Sequence, residues 1–237
     1  FPVFKDVSHL CNMQESLRDI SDLIIIGGGF IGVEFADECK KAMQANVSIV
    51  EMLPHCLMLA YDEEFCTDAE ALLRQRGITP ITGNKVARLV GKEKVEGVEL
   101  SDGSVLPAQA VIVGIGATAN VELAKNVSLP LGPVGGIMVD RTMRTPDSRI
   151  FACGDCAEKV SFFSGRPCPL KLASIATAEA RIAGANLYGI RRENIGTVGV
   201  WSTVVGETAF ATAGLTEALA ARHGYNYVVG ATEAVNR

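Results

Sequence analysis

Residues 22–53, DLIIIGGGFIGVEFADECKKAMQANVSIVEML, constrain this chain more than any other stretch. Leu23 to Ile26 is a short continuous apolar run, the pattern of a strand buried on both faces, and Val47 to Val50 is a second. Phe30 to Met43 between them reads as a helix. Two such strands joined by one helix make a βαβ unit, which places both strands in a parallel sheet and commits the surrounding chain to an α/β fold.

The junction between the first strand and the helix carries the chemistry. Gly27, Gly29 and Gly32 form G-x-G-x-x-G directly after a strand and at the opening of a helix. Gly27 permits the tight turn, Gly29 lets the backbone approach a pyrophosphate, and Gly32 lets the helix pack close to the strand. A diphosphate then meets the unpaired N–H groups and positive dipole end of the helix. Glu51 ends the second strand at about the 20-residue separation expected of the acid that holds an adenosine ribose. The plainer alternative is a glycine-rich turn beside a surface glutamate. A carboxylate at this position accepts ribose hydroxyls and repels a 2′-phosphate, and within MLPHCLM only His55 offers a weak counter-charge. NADH is therefore the expected cofactor rather than NADPH.

The rest of the first half supports one α/β domain. Ser8 to Arg18 has helical spacing through Leu10, Met13 and Leu17, with Ser8 as N-cap. A further helix over roughly 63–76 opens on acid and closes at Gly77. From Lys85 to Leu106 the period changes to two, which predicts a small antiparallel meander, and Ala110 to Gly114 returns to the buried-strand type.

Composition narrows the partners. The chain of 237 residues is 48% hydrophobic with a net charge of −5, and no basic face is visible for nucleic acid or an anionic membrane. No apolar run approaches the roughly 20 residues that span a bilayer. Seven cysteines at irregular spacings suit a reducing compartment, so a cytoplasmic protein is expected. The chain starts without an initiator methionine and stops just after Tyr225 to Val229, read as a strand, so an excised piece is expected.

RIFACGDCAEK, from Arg149, can be read as a Cys153/Cys156 redox pair, as half of a metal site, or as an apolar strand Phe151 to Cys153 that stops at Gly154-Asp155. The third reading needs neither cysteine. Gly154 allows close backbone approach, and Asp155 offers a carboxylate to a sugar-like hydroxyl.

The segments DLIIIGGGFIGVEFADE, VIVGIGATANVELAK, TPDSRIFACGDCAE and LASIATAEARIAGANLYG, in this order, resemble the FAD-dependent pyridine nucleotide-disulfide oxidoreductases, in particular the NADH oxidase, NADH peroxidase and coenzyme A-disulfide reductase branch. The resemblance implies a Rossmann-like NAD(H)-binding domain over 1–118, the C-terminal portion of an FAD domain over 119–190, and the beginning of a dimerisation domain over 191–237. By resemblance Gly27, Gly29, Phe30, Ile31, Gly32, Glu51, Gly114, Ile115 and Gly116 hold NADH, while Gly154, Asp155, Leu172 and Ala173 approach FAD, with Asp155 on the ribitol chain. Phe30 and Glu34 would lie near the nicotinamide and flavin. The redox cysteine is expected upstream, which leaves this piece inactive alone and short of the glycine turn that would hold FAD tightly. The implied reaction passes hydride from NADH to FAD and on to a small-molecule acceptor, oxygen, peroxide or a disulfide, in a homodimer when full length. The alternatives are a ferredoxin or rubredoxin reductase and a non-catalytic NADH-binding module.

Overall fold

The computed structural model describes residues 7–189 and 192–234. The chain divides into two compact units, Phe1–Gly116 with Trp201–Thr212, and Ala117–Val200 with Ala213–Arg237. Residues 201–212 go with the first unit, and 192–200 and 213–234 with the second.

The first unit is built on a four-stranded parallel sheet in the order β3-β2-β1-β7, formed by β1 (Asp22–Ile26), β2 (Asn46–Val50), β3 (Ile78–Ile81) and β7 (Ala110–Val113). Alternation sends successive side chains of β1 to opposite faces. Leu23 and Ile25 pack with Val33 and Ala36 of α2 (Phe30–Ala42) and with Cys66 and Leu73 of α3 (Glu63–Gln75). Ile24 joins Val50, Val98 and Leu100 on the other face, under the antiparallel meander β4 (Val86–Val90), β5 (Gly97–Leu100) and β6 (Val105–Pro107). Both faces are covered, which is why the strands read as continuous apolar runs.

A hairpin, β10 (Val200–Val205) and β11 (Thr208–Ala213), adds Val205 and Phe210 to the helix-side core. Tyr61 Oη donates to Phe210 O at 3.0 Å. In the same unit Asp37, buried at 2% exposure, accepts from the more exposed Lys41 Nζ at 2.7 Å and from Arg76 Nε.

The second unit contains α4 (Glu122–Asn126), a 3-10 turn at Gly154–Cys156, β8 (Lys159–Val160) paired with β9 (Pro167–Cys168), α5 (Ala173–Asn186) and α6 (Glu217–Arg222). Its core gathers Val121, Ala124, Ile137, Met143, Ala152, Ala157 and Ala183.

Three local expectations are corrected. α1 (Val7–Ser16) has begun before Ser8, which therefore lies in the first turn and not at the cap. Phe151 makes a single antiparallel bridge to Arg144 rather than a strand, and Cys153 caps the 3-10 turn. Tyr225 to Val229 is irregular and largely exposed, with Val228 97% exposed, because no described strand lies alongside to complete a ladder.

Burial alone raises the Asp37 pKa, but the hydrogen bonds and charges of Lys41 and Arg76 outweigh it and hold the carboxyl below its ordinary value. A depressed folded pKa gives stability that is present above about pH 4 and lost as pH falls through the folded value. Asp37→Asn should therefore lower Tm by about 5 °C or more at pH 7. In thermal melts from pH 7 to 2 the gap should close at the acid end; a gap independent of pH would contradict the assignment.

Candidate functional site

The parallel register sets Ile26 beside Val50 and Val113, so the residues that follow, Gly27, Glu51 and Gly114, leave the sheet at one edge. Ligands of open parallel sheets bind at this carboxyl edge. Gly27 N–H donates to Val50 O at 2.8 Å, and Gly114 N–H to Ile26 O at 2.7 Å. Gly27 has φ +104°, and a Cβ there would run into Gly114 O. A Cβ on Gly32 would run into Gly27 O, so α2 rests directly on the turn. Gly28 is equally confined, its virtual Cβ lying 2.7 Å from Cys56 Sγ and 2.9 Å from Glu51 Cβ.

Gly29 differs from these three. Its φ of −74° and ψ of −174° suit any residue, and a Cβ added to it meets nothing within 4 Å. It is the N-cap of α2 without a side-chain cap, no acid stands in the first turn, and Ile31 beside it is 52% exposed. Folding gives no reason for glycine here. An open space over uncapped helix N–H groups is a cradle that a Cβ would fill, and it suits a pyrophosphate.

Glu51 is buried beside that cradle. Its Oε2 accepts from Gly28 N–H at 2.6 Å and its Oε1 from Leu53 N–H at 2.8 Å. A carboxylate has about four acceptor sites, so two remain for hydroxyl donors. His55 is drawn to α3, with Nδ1 3.3 Å from Glu70 Oε1 and Nε2 3.6 Å from Glu63 Oε1. The nearby cation candidate is thus matched by acids. Gly116, at φ +100°, and Ile115, 74% exposed, continue the edge past Gly114.

Phe30 and Glu34 are both engaged by the hairpin. The Phe30 ring lies 6.4 Å from Trp201 with planes 6° apart, and 5.7 Å from Tyr61. Glu34 Oε1 accepts from Thr203 Oγ1 at 3.1 Å. Trp201, Tyr61 and Thr203 were not legible as neighbours of α2; the single tryptophan of the chain was the available signal.

In the second unit Gly154 opens the 3-10 turn with φ +77°, and its virtual Cβ is 3.5 Å from Ala176 of α5. Leu172 is the N-cap of α5, again without a side-chain cap, and Ala173 is exposed. Asp155 is exposed and takes no hydrogen bond from the described residues. Glu179 Oε1, buried just behind this turn, also has no hydrogen-bond partner there. Uncommitted acceptors and an uncapped helix end suit a polyhydroxylated ligand at Asp155.

All seven cysteines are free, and Cys156 Sγ donates to Cys153 O at 3.3 Å. Burial, then the charges of Cys156 and Glu179, raise the Cys153 pKa, whereas a redox thiol needs it lowered. Burial also pushes Cys56 up to about 12 and Cys66 to about 11. No cluster of metal-ligating side chains occurs among the described residues.

The glycines separate folding from binding. Gly32→Ala should cost about 2 kcal/mol through overpacking. Gly29→Ala should leave Tm within about 2 °C yet raise the Kd for NADH at least about tenfold by filling the cradle. Melting curves and NADH titration of both variants check this; equal NADH affinity in Gly29→Ala and the parent would show that the cradle holds nothing.

Comparison with known proteins identifies the family. The family of pyridine nucleotide-disulphide oxidoreductases matches residues 3–180. A NADH oxidase of Methanocaldococcus jannaschii is 29% identical over 213 residues, covering 90% of this chain and 47% of the relative. A ferredoxin–NAD(P)+ reductase of a Sphingomonas species is 32% identical over 199 residues, 81% of this chain and 46% of the relative. The NAD-dependent persulfide reductase of A. fulgidus superposes with TM-score 0.85 at 29% identity, over 92% of this chain and 40% of its own. The chain thus spans less than half the length of each. The family match over most of its length, joined to the glycine turn and parallel sheet described above, makes this chain a member of the pyridine nucleotide-disulphide oxidoreductase family.

Proposed function

We propose that the first unit binds NADH across Gly27–Gly32, Glu51 and Gly114–Gly116, and that the protein is an NADH-dependent flavoenzyme of the NADH oxidase type. The observation that carries this reading is Gly29, the one glycine of the turn that packing does not require. The α2 N-terminus takes the pyrophosphate, and Glu51 accepts the adenosine ribose hydroxyls through its two remaining sites. Ile115 and Gly116 border the nicotinamide end. Phe30 and Glu34, at the start of α2, orient the ring from that side, with Trp201 and Thr203 fixing their own positions.

Gly154, Asp155 and the N-terminus of α5 at Leu172-Ala173 would hold FAD by its ribitol chain and ring edge. Bound there, FAD would supply a two-electron acceptor for the hydride of NADH, with a small molecule as the final acceptor. The chain's part is to bind and orient the two cofactors. A second reading, in which the electrons leave to a small carrier protein, is favoured by the 32% identity to the ferredoxin reductase. Steady-state NADH oxidation with oxygen, a disulfide or ferredoxin as sole acceptor separates the two. No described helix is long and apolar enough to cross a membrane.

Glu51→Arg should weaken NADH binding at least about tenfold and strengthen NADPH binding, because it removes the ribose acceptor and supplies a cation for a 2′-phosphate. Dissociation constants for both nucleotides test this; values unchanged from the parent would sink the role of Glu51. Replacing Cys153 and Cys156 together by serine should leave NADH-dependent flavin reduction, followed by stopped-flow absorbance, within about threefold of the parent, since burial raises the Cys153 pKa where a redox pair would need it lowered. A drop of several orders of magnitude would restore the redox-pair reading.

A further inference from the structure

Lys159 of β8 and Glu179 of α5 form a buried ion pair, Nζ to Oε2 2.9 Å, with side chains only 3% and 2% exposed. Lys159 closes the RIFACGDCAEK stretch and Glu179 lies within LASIATAEARIAGANLYG, but the sequence assigns a role to neither. Both grip the same turn. Glu179 Oε2 accepts from Gly154 N–H at 2.9 Å, while Lys159 Nζ donates to Gly154 O and, at 2.9 Å, to Ala157 O. The N–H and C=O of Gly154 are therefore both tied to one charge pair, and the second of them belongs to the peptide bond that leads into Asp155. Removing two charges from water is costly, and apolar side chains of similar volume would fill the space without that penalty. What apolar side chains cannot do is hold backbone polar groups on both sides of Asp155 in one geometry. Asp155 itself is exposed and receives no hydrogen bond from the described residues, so its direction is set by its backbone.

We propose that Lys159 and Glu179 are positioning residues for the flavin site: together they lock the Gly154–Ala157 turn so that the Asp155 carboxylate faces the ribitol hydroxyls of FAD. This rests on the reading of Asp155 as a flavin ligand given above.

A double-mutant cycle on the holoprotein, stripped of FAD and titrated back with FAD by flavin fluorescence, tests both separately. Asp155→Asn should raise the Kd for FAD at least about tenfold, and the joint replacement Lys159→Met with Glu179→Gln at least about fivefold. Added to Asp155→Asn, the joint replacement should cost less than about twofold more, because the pair acts through Asp155. A purely structural pair would instead weaken FAD equally in both backgrounds. That result, or no effect of the joint replacement, overturns the positioning role while leaving Asp155 as a ligand. If Asp155→Asn alone leaves the Kd unchanged, the Asp155 reading falls and the proposal with it. Should the joint variant fail to fold, Glu179→Gln alone, which keeps a carbonyl for Gly154 N–H, runs through the same cycle with an expected loss of at least about threefold.

Discussion

The parallel pairing of β1 between β2 and β7 is the constraint on which the candidate site depends. Because Ile26 lies level with Val50 and with Val113, three consecutive turns leave the sheet at the same height. Gly27 then bonds to Val50, Gly114 bonds to Ile26, and Gly28 meets the carboxylate of Glu51. A shift of one residue in either pairing would invert the faces of the strand and separate these groups. The apolar cores on both sides of the sheet enforce the register, so the energy that builds the first unit also assembles its ligand edge.

The turn between β1 and α2 is crowded at every glycine but Gly29. Three of the four glycines in the turn answer to packing, through contacts with Gly114, Glu51, Cys56 or Gly27 itself. The fourth faces open space above helix N–H groups that nothing caps. A backbone shaped in this way is complementary to an anion that is not part of the chain, and Glu51 beside it offers acceptors to hydroxyls. The hairpin contributes from far along the sequence, locking Phe30 and Glu34 through Trp201 and Thr203.

The βαβ core was legible because its signals are local: continuous apolar runs, glycines at a strand end, and a change of period at the meander. Misreadings arose where a strand depends on a partner. Phe151 to Cys153 and Tyr225 to Val229 have the composition of strands, yet the first finds only the single bridge to Arg144 and the second no ladder among the described residues. Composition states a preference that tertiary pairing must complete. The Phe30–Trp201 and Glu34–Thr203 contacts were hidden by sequence separation. The Lys159–Glu179 pair was hidden by its chemistry, since an acid on an alanine-rich helix reads as a solvated face. Even Asp37, buried under Arg76, has the sequence appearance of a surface charge.

The account stands on NADH lying over the Gly28–Phe30 turn at the head of α2. Backbone amide NMR of the isotopically labelled chain, titrated with NADH, observes those N–H groups directly. The amides of Gly28, Gly29 and Phe30 should shift together along one saturable binding curve, with Gly116 following as the nicotinamide end is reached. Saturation that leaves these amides in place while others move would put the nucleotide elsewhere and contradict the account.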